Sequence, residues 1–208
     1  MISTNFYGQF SPKVDELIRQ YFPNKEYGRC IEVGAVDGIY LSNTLHFEQS
    51  GWDVLCIEPI PNYYNKLKRN RKNSLNFAIS DENKDSVEFT VVRLSNSNES
   101  AISGLNIQKE LIPLHSKWNP ELKKIKVSCR RLDWCIEKYF NFEDIDFISI
   151  DTEGTELDVL KSFDVNNYNI KLLVVENNFN DSDVELYLNT KGLIKDKRVE
   201  VNDFYIKN

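Results

Sequence analysis

At 208 residues the chain has the length of one generous domain, able to bury roughly 70% of its unfolded surface without disulfide or metal staples. Its 26 basic and 32 acidic residues leave a formal charge of −6, and the basic ones are scattered apart from the runs 66–72 and 195–198, which argues against a nucleic-acid partner. No 18-residue apolar run occurs, residues 1–8 lack the basic and apolar regions of a leader, and the four cysteines form no C-x-x-C pair. A soluble cytoplasmic protein in a reducing compartment, with no membrane span, is expected.

The first predicted element is a helix, with Ser11 as cap, Pro12 at its first position, and Val14, Leu17, Ile18 and Tyr21 at helical spacing. The apolar run 29–33 reads as a strand that stops at Gly34 and Gly38, where backbone can approach a ligand without interference from Cβ. A helix over 41–49, closed near Gly51, leads to a second strand over 52–57 that ends on Glu58. Pro59-Ile60-Pro61 opens the next helix through Tyr64 and Leu67, and the run 66–72 reads as its solvated face and C-terminal turn. A third strand is expected over 76–79, and 87–92 alternates like another.

Residues 93–128 break the pattern. Ser95 to Ser100 has loop composition, Pro113 and Pro120 interrupt the remainder, and Ile102, Leu105, Leu111, Leu114 and Trp118 provide apolar anchors, so this stretch reads as a lid insertion in a single domain spanning 1–208. A strand at 125–129 and a helix carrying Leu132, Ile136, Tyr139 and Phe140 come next. Strand 145–150 then carries Asp151 at its end, and strand 170–175 carries Glu176. The tail reads as a helix over 184–189, stopped at Gly192, and a hairpin of 193–201 with 204–206 turning at Asn202-Asp203.

Four predicted parallel strands thus end on acids, Glu32, Glu58, Asp151 and Glu176, and ligands in open α/β sheets bind outside the carboxyl ends of strands. The alternative is that each caps the following helix. A dinucleotide fingerprint would need glycines where Val36 and Ile39 stand, so a pyrophosphate fits poorly. S-adenosylmethionine has a ribose and adenine but no phosphate. In that reading Glu58, with Pro59, holds the ribose hydroxyls, and Ala78, Ile79 and Ser80 leave room beside adenine. Gly34, Ala35, Asp37 and Gly38 line the methionine end, with Ser42, Asn43, Glu32 and Asp151 as further contacts.

Methyl transfer to an alcohol also removes a proton, which calls for a base or a metal. Asp151 and Glu153 share one turn, so either suits the base. These two with Glu176 and Asn177 would alternatively hold a hard cation such as Mg²⁺. Of the two histidines, His46 reads as a packed or solvent-facing helix residue and His115, in the lid, as a further candidate base.

The ordered blocks Glu32 to Gly38, Ser42 to Leu45, Cys56 to Pro59, Asn76 to Ser80, Ile145 to Glu156 and Leu173 to Asn177 resemble, over residues 28–178, the FkbM-type S-adenosylmethionine-dependent methyltransferases. The D-x-E-G-x-E run from Asp151 to Glu156 is the most specific of them. The resemblance implies an α/β class I methyltransferase fold, a Rossmann-like doubly wound sheet, mainly parallel with an antiparallel C-terminal edge hairpin. It also implies O-methylation of a hydroxyl, usually on a sugar of a glycan, glycolipid or glycosylated metabolite. The rivals are an NAD-linked sugar oxidoreductase or epimerase, disfavoured by the absent glycines, and a non-catalytic interaction protein that keeps the fold, disfavoured by intact Glu32, Gly34, Gly38 and Glu58.

Overall fold

The computed structural model describes residues 2–93, 103–105, 121–141 and 144–207. In chain order these form α1 (Val14–Arg19), β1 (Arg29–Val33), α2 (Leu45–Gln49), β2 (Asp53–Ile57), α3 (Pro61–Asn70), β3 (Ser74–Leu75), β4 (Ala78–Ile79), β5 (Lys84–Arg93) and β6 (Glu121–Arg130). After them come α4 (Leu132–Phe140), β7 (Phe147–Ile150), α5 (Glu156–Lys161), a 3₁₀ turn (Val165–Asn167), β8 (Leu172–Glu176), α6 (Asp183–Thr190), β9 (Leu193–Val199) and β10 (Asn202–Lys207).

The apolar runs of β1, β2, β7 and β8 are buried along nearly their whole length, as parallel strands covered by helices on both sides must be. They pair in parallel with Val33 beside Ile57 and Ile150, so the ends of these strands come level. The sheet order is β3-β2-β1-β7-β8-β10-β9, and β10 runs antiparallel to both of its neighbours. Because successive side chains alternate between faces, Cys30, Cys56, Phe147 and Val174 pack with Ile18, Phe47 and Leu67 of α1–α3. Ile31, Leu55, Ile148 and Leu173 pack on the other face with Ile136, Val159 and Leu188 of α4–α6. Each such side chain contributes about 1.5–3 kcal/mol by leaving water. The expected doubly wound α/β sheet with its antiparallel C-terminal hairpin is the fold observed.

Three local expectations need correction. Helix α1 starts at Val14, with Lys13 at its cap, and the segment ahead of it is tied down by Asp15, which accepts from Tyr7 N (2.7 Å) and Gly8 N (2.9 Å). The expected strand 76–79 splits: Ser74–Leu75 joins β2, while Ala78–Ile79 turns away to pair with β6 in a second sheet of order β4-β6-β5. Asn76 pins the bend by donating from Nδ2 to the carbonyls of Glu58 (2.8 Å) and Pro59 (3.0 Å). The last hairpin turns at Glu200 and Val201, because Asp203 is wholly buried in the strand and ion-paired to Arg198 and Lys195.

The end of the 93–128 segment is regular structure: Glu121–Arg130 pairs antiparallel with β5. Ser103, Gly104 and Leu105 lie against the same strand, with Gly104 and Thr90 exchanging two backbone hydrogen bonds of 3.0 and 3.1 Å. Ile102, Leu111, Leu114, His115 and Trp118 fall outside the described residues. Among the described residues no helix is long and apolar enough to cross a membrane.

Candidate active site

The levelled ends of β1, β2 and β7 open onto a concave cleft. Gly34 and Val36 form one wall, Glu58 to Ile60 and Tyr63 the next, and Phe77 to Ile79 the third. Phe89 of the second sheet, with Ser103 and Leu105 from the segment beside it, covers it, and Asp151, Thr152 and Thr155 close the far end. Among the described lining residues none is basic, while two are carboxylates. Glu58, buried at the end of β2, accepts from Val36 N (3.0 Å) on Oε2 and from Ile60 N (2.7 Å) on Oε1.

The loop after β1 is shaped from behind. Gly34 has φ +89°, and a Cβ there would lie 1.8 Å from the carbonyl oxygen of Asp151; at Gly38, φ +81°, a Cβ would meet Arg71 Cγ at 2.5 Å. Both glycines are therefore required by close packing of the protein itself. Arg71, in the basic run that reads as solvated, has a side chain with no exposure at all. Its Nη1 donates to Glu32 Oε2 (3.3 Å), Gly38 O (3.1 Å) and Ser42 Oγ (3.1 Å), its Nη2 to Thr44 Oγ1 (2.9 Å), and its Nε is bonded to Glu48. Glu32 also accepts from Ser42 Oγ (2.8 Å), Asn43 N (2.6 Å) and Thr44 Oγ1 (2.7 Å). One guanidinium thus neutralises two buried acids and clamps the loop to α2 and α3.

At the far end Asp151, Glu153 and Glu176 each place a carboxylate oxygen within 4.8 Å of the others. Asp151 is pushed up to about 6, chiefly by burial and then by the charges of Glu156 and Glu32, with a hydrogen bond from Glu176 acting against the rise. Burial, followed by repulsion from Asp151, raises Glu153 to about 9 and Glu176 to about 12. Glu156 is occupied in its own turn, accepting from Thr152 N, Thr152 Oγ1 and Gly154 N at 3.0 Å each.

Of the residues singled out in the sequence, Gly34, Glu58, Pro59, Ala78, Ile79 and Asp151 come together on the cleft. Glu32, Ala35, Gly38 and Ser42 stand behind it, in the clamp or the loop. Asp37 caps its own turn, accepting from Ile39 N (3.0 Å) and Tyr40 N (2.8 Å), and Ser80 bonds Asp81 (3.1 Å). Asn43 donates from Nδ2 to Ser149 Oγ (3.0 Å), and its Oδ1 is buried without a partner. Asn177 points to the opposite face from Glu176, as neighbours along an extended chain do, and its amide is bound at both ends, to Asp181 and Asp203. His46 is buried in α2, away from the cleft. The sequence pattern does not single out Tyr63, Phe77 and Phe89, which ordinary core patterning hides, or Arg71, whose i, i+4 relation to Leu67 was the available signal.

Residues 32–197 match the family described as Methyltransferase FkbM domain. No curated protein matches the chain. Among solved structures, M. capricolum TrmK in complex with S-adenosyl-homocysteine is similar with a TM-score of 0.48 and 11% identity, over 97% of this chain and 68% of that one. The delta-N METTL16 MTase domain is similar with a TM-score of 0.45 and 12% identity, over 92% and 78%.

Proposed function

The chain belongs to the FkbM family of S-adenosylmethionine-dependent methyltransferases, and from that premise we propose that it transfers the methyl group to a hydroxyl, most fittingly of a sugar within a glycan, glycolipid or glycosylated metabolite. The observation that carries the donor's place is the charge of the cleft: acids and no base among its described lining residues. Such a surface suits the sulfonium and ammonium of the methyl donor and opposes the pyrophosphate of a dinucleotide. Glu58 takes the ribose, with Ala78 and Ile79 beside the adenine. The buried free thiols Cys30, Cys56, Cys129 and Cys135 support a reducing, cytoplasmic setting.

An in-line displacement gains most from holding the acceptor oxygen close to the methyl and collinear with the leaving sulfur. Asp151, at the cleft's far end and lifted toward neutrality, suits the removal of the hydroxyl proton, with Glu153 beside it. A hard divalent cation such as Mg²⁺ would do the same work by lowering the hydroxyl's pKa. The 93–128 segment is the lid of this single domain in the reading, supported by Ser103 and Leu105 on the cleft, and His115 is its second candidate base. The test is transfer of a labelled methyl group from the donor to a fractionated extract. Label that survives alkali and is recovered as a methyl ether of a sugar is expected; label in protein or RNA alone would overturn the acceptor class.

A further inference from the structure

Asp151 and Glu153 come from the turn after β7, and Glu176 is the last residue of β8. Carboxylates of like charge do not collect in a partly buried site without compensation. Among the described residues, however, no lysine or arginine pairs with any of the three. Glu176, one of the three, is only 9% exposed, and its Oε2 is buried with no hydrogen-bond partner. Oxygens bound to one hard cation at roughly 2.0–2.6 Å lie about 3–5 Å from one another. The three carboxylates already satisfy that spacing, each offering an oxygen within 4.8 Å of the others.

We propose that Asp151, Glu153 and Glu176 hold one hard divalent cation, Mg²⁺ or Mn²⁺, at the far end of the cleft. Asn177 is not a ligand, since its amide faces Asp203 and Asp181. Three protein oxygens leave the remaining positions of an octahedral ion to water or to a substrate oxygen. Of the three, Asp151 lines the cleft. The catalytic consequence, an acceptor hydroxyl made more acidic by the ion, rests on the methyl-transfer reading; binding of the ion does not.

The test is calorimetric titration of chelator-treated, dialysed protein with MnCl₂, paired with the Mn²⁺ electron paramagnetic resonance signal. One site per chain, displaced by MgCl₂, is expected. Glu176→Gln, nearly isosteric, should weaken Mn²⁺ binding by roughly tenfold or more, while the exposed control Glu137→Gln should leave it unchanged. Circular dichroism checks the fold of Glu176→Gln, and Glu153→Gln supplies the second variant if that one fails to fold. No Mn²⁺ binding by the wild type, or wild-type binding by both cluster variants, would overturn the site. A titration with S-adenosylhomocysteine on the same sample separates the two readings. Mn²⁺ binding without donor binding upholds the cation site and overturns methyl transfer, and donor binding without Mn²⁺ does the reverse.

Discussion

Replacing Arg71 tests whether the donor loop owes its shape to the clamp behind it. Arg71→Met would leave Glu32 and Glu48 buried without their shared cation, a loss of about 3–5 kcal/mol, which approaches the whole stability of a small domain. Arg71→Lys is the more informative change, because it keeps the charge. One ammonium has three donors where the guanidinium serves Glu48, Glu32, Gly38, Ser42 and Thr44, so at least two of these hydrogen bonds fail. With roughly 1–2 kcal/mol for each broken hydrogen bond, the variant should unfold in urea with about 2–4 kcal/mol less stability. The carbonyl of Gly38 is among the groups released, so affinity for S-adenosylhomocysteine should fall about tenfold, near 1.4 kcal/mol, in a calorimetric titration. Lys72→Met, at an exposed neighbour in the same basic run, should change neither quantity. Arg71→Lys with full stability would mean that the network contributes nothing. Lost stability with unchanged donor affinity would mean that the loop keeps its shape without the clamp.

Because Glu58 is proposed to hold the ribose, Glu58→Ala should weaken donor binding by roughly ten- to a hundredfold, read by calorimetry. Asp151→Asn should abolish turnover while donor affinity stays within a few fold, as for a group that acts in the reaction; equal losses in both would assign Asp151 to the cofactor. Gly34→Ala places a methyl group 1.8 Å from the Asp151 carbonyl at a φ of +89°, and a large fall in melting temperature is expected. His46 accepts from Arg19 Nε on Nε2 and donates from Nδ1 to Asn5 O, both at 2.8 Å, which requires a neutral ring. Burial, then the charge of Arg19, lowers its pKa against the pull of the Asn5 carbonyl. The unfolded histidine takes up a proton near about 6.5 while the folded one resists, so its stabilising contribution is complete above that pH and is lost as the pH falls through the folded value. His46→Gln should show a shallower loss of stability on acidification than the wild type, and an identical slope would remove this histidine from the account.

The parts of the fold that were legible are those where one physical cause dominates. Runs such as Cys30 to Val33 and Leu172 to Val175 are buried on both faces, so they are apolar almost without interruption, and acids stand at their ends. The split between β3 and β4 was not legible, because it depends on one side chain, Asn76, reaching two carbonyls that the chain brings near only after folding. The β6 strand has Lys123, Lys124 and Lys126 on solvent, which makes its N-terminal half look like loop, and its pairing with β5 is a long-range fact. Arg71 was hidden for the same reason: what buries a cation is the acid supplied by β1 and α2, not its own neighbours in sequence. Asn202-Asp203 has turn composition, yet Arg198 and Lys195 hold Asp203 inside the sheet and move the turn to Glu200 and Val201.

The central claim is that the acid-lined cleft receives the methyl donor, and the direct measurement is one calorimetric comparison of S-adenosylhomocysteine with NAD on the wild-type protein. The account predicts one S-adenosylhomocysteine site per chain and no heat from NAD, because the described lining offers the ribose a carboxylate and the pyrophosphate no cation. Saturable NAD binding in the absence of S-adenosylhomocysteine binding would contradict it.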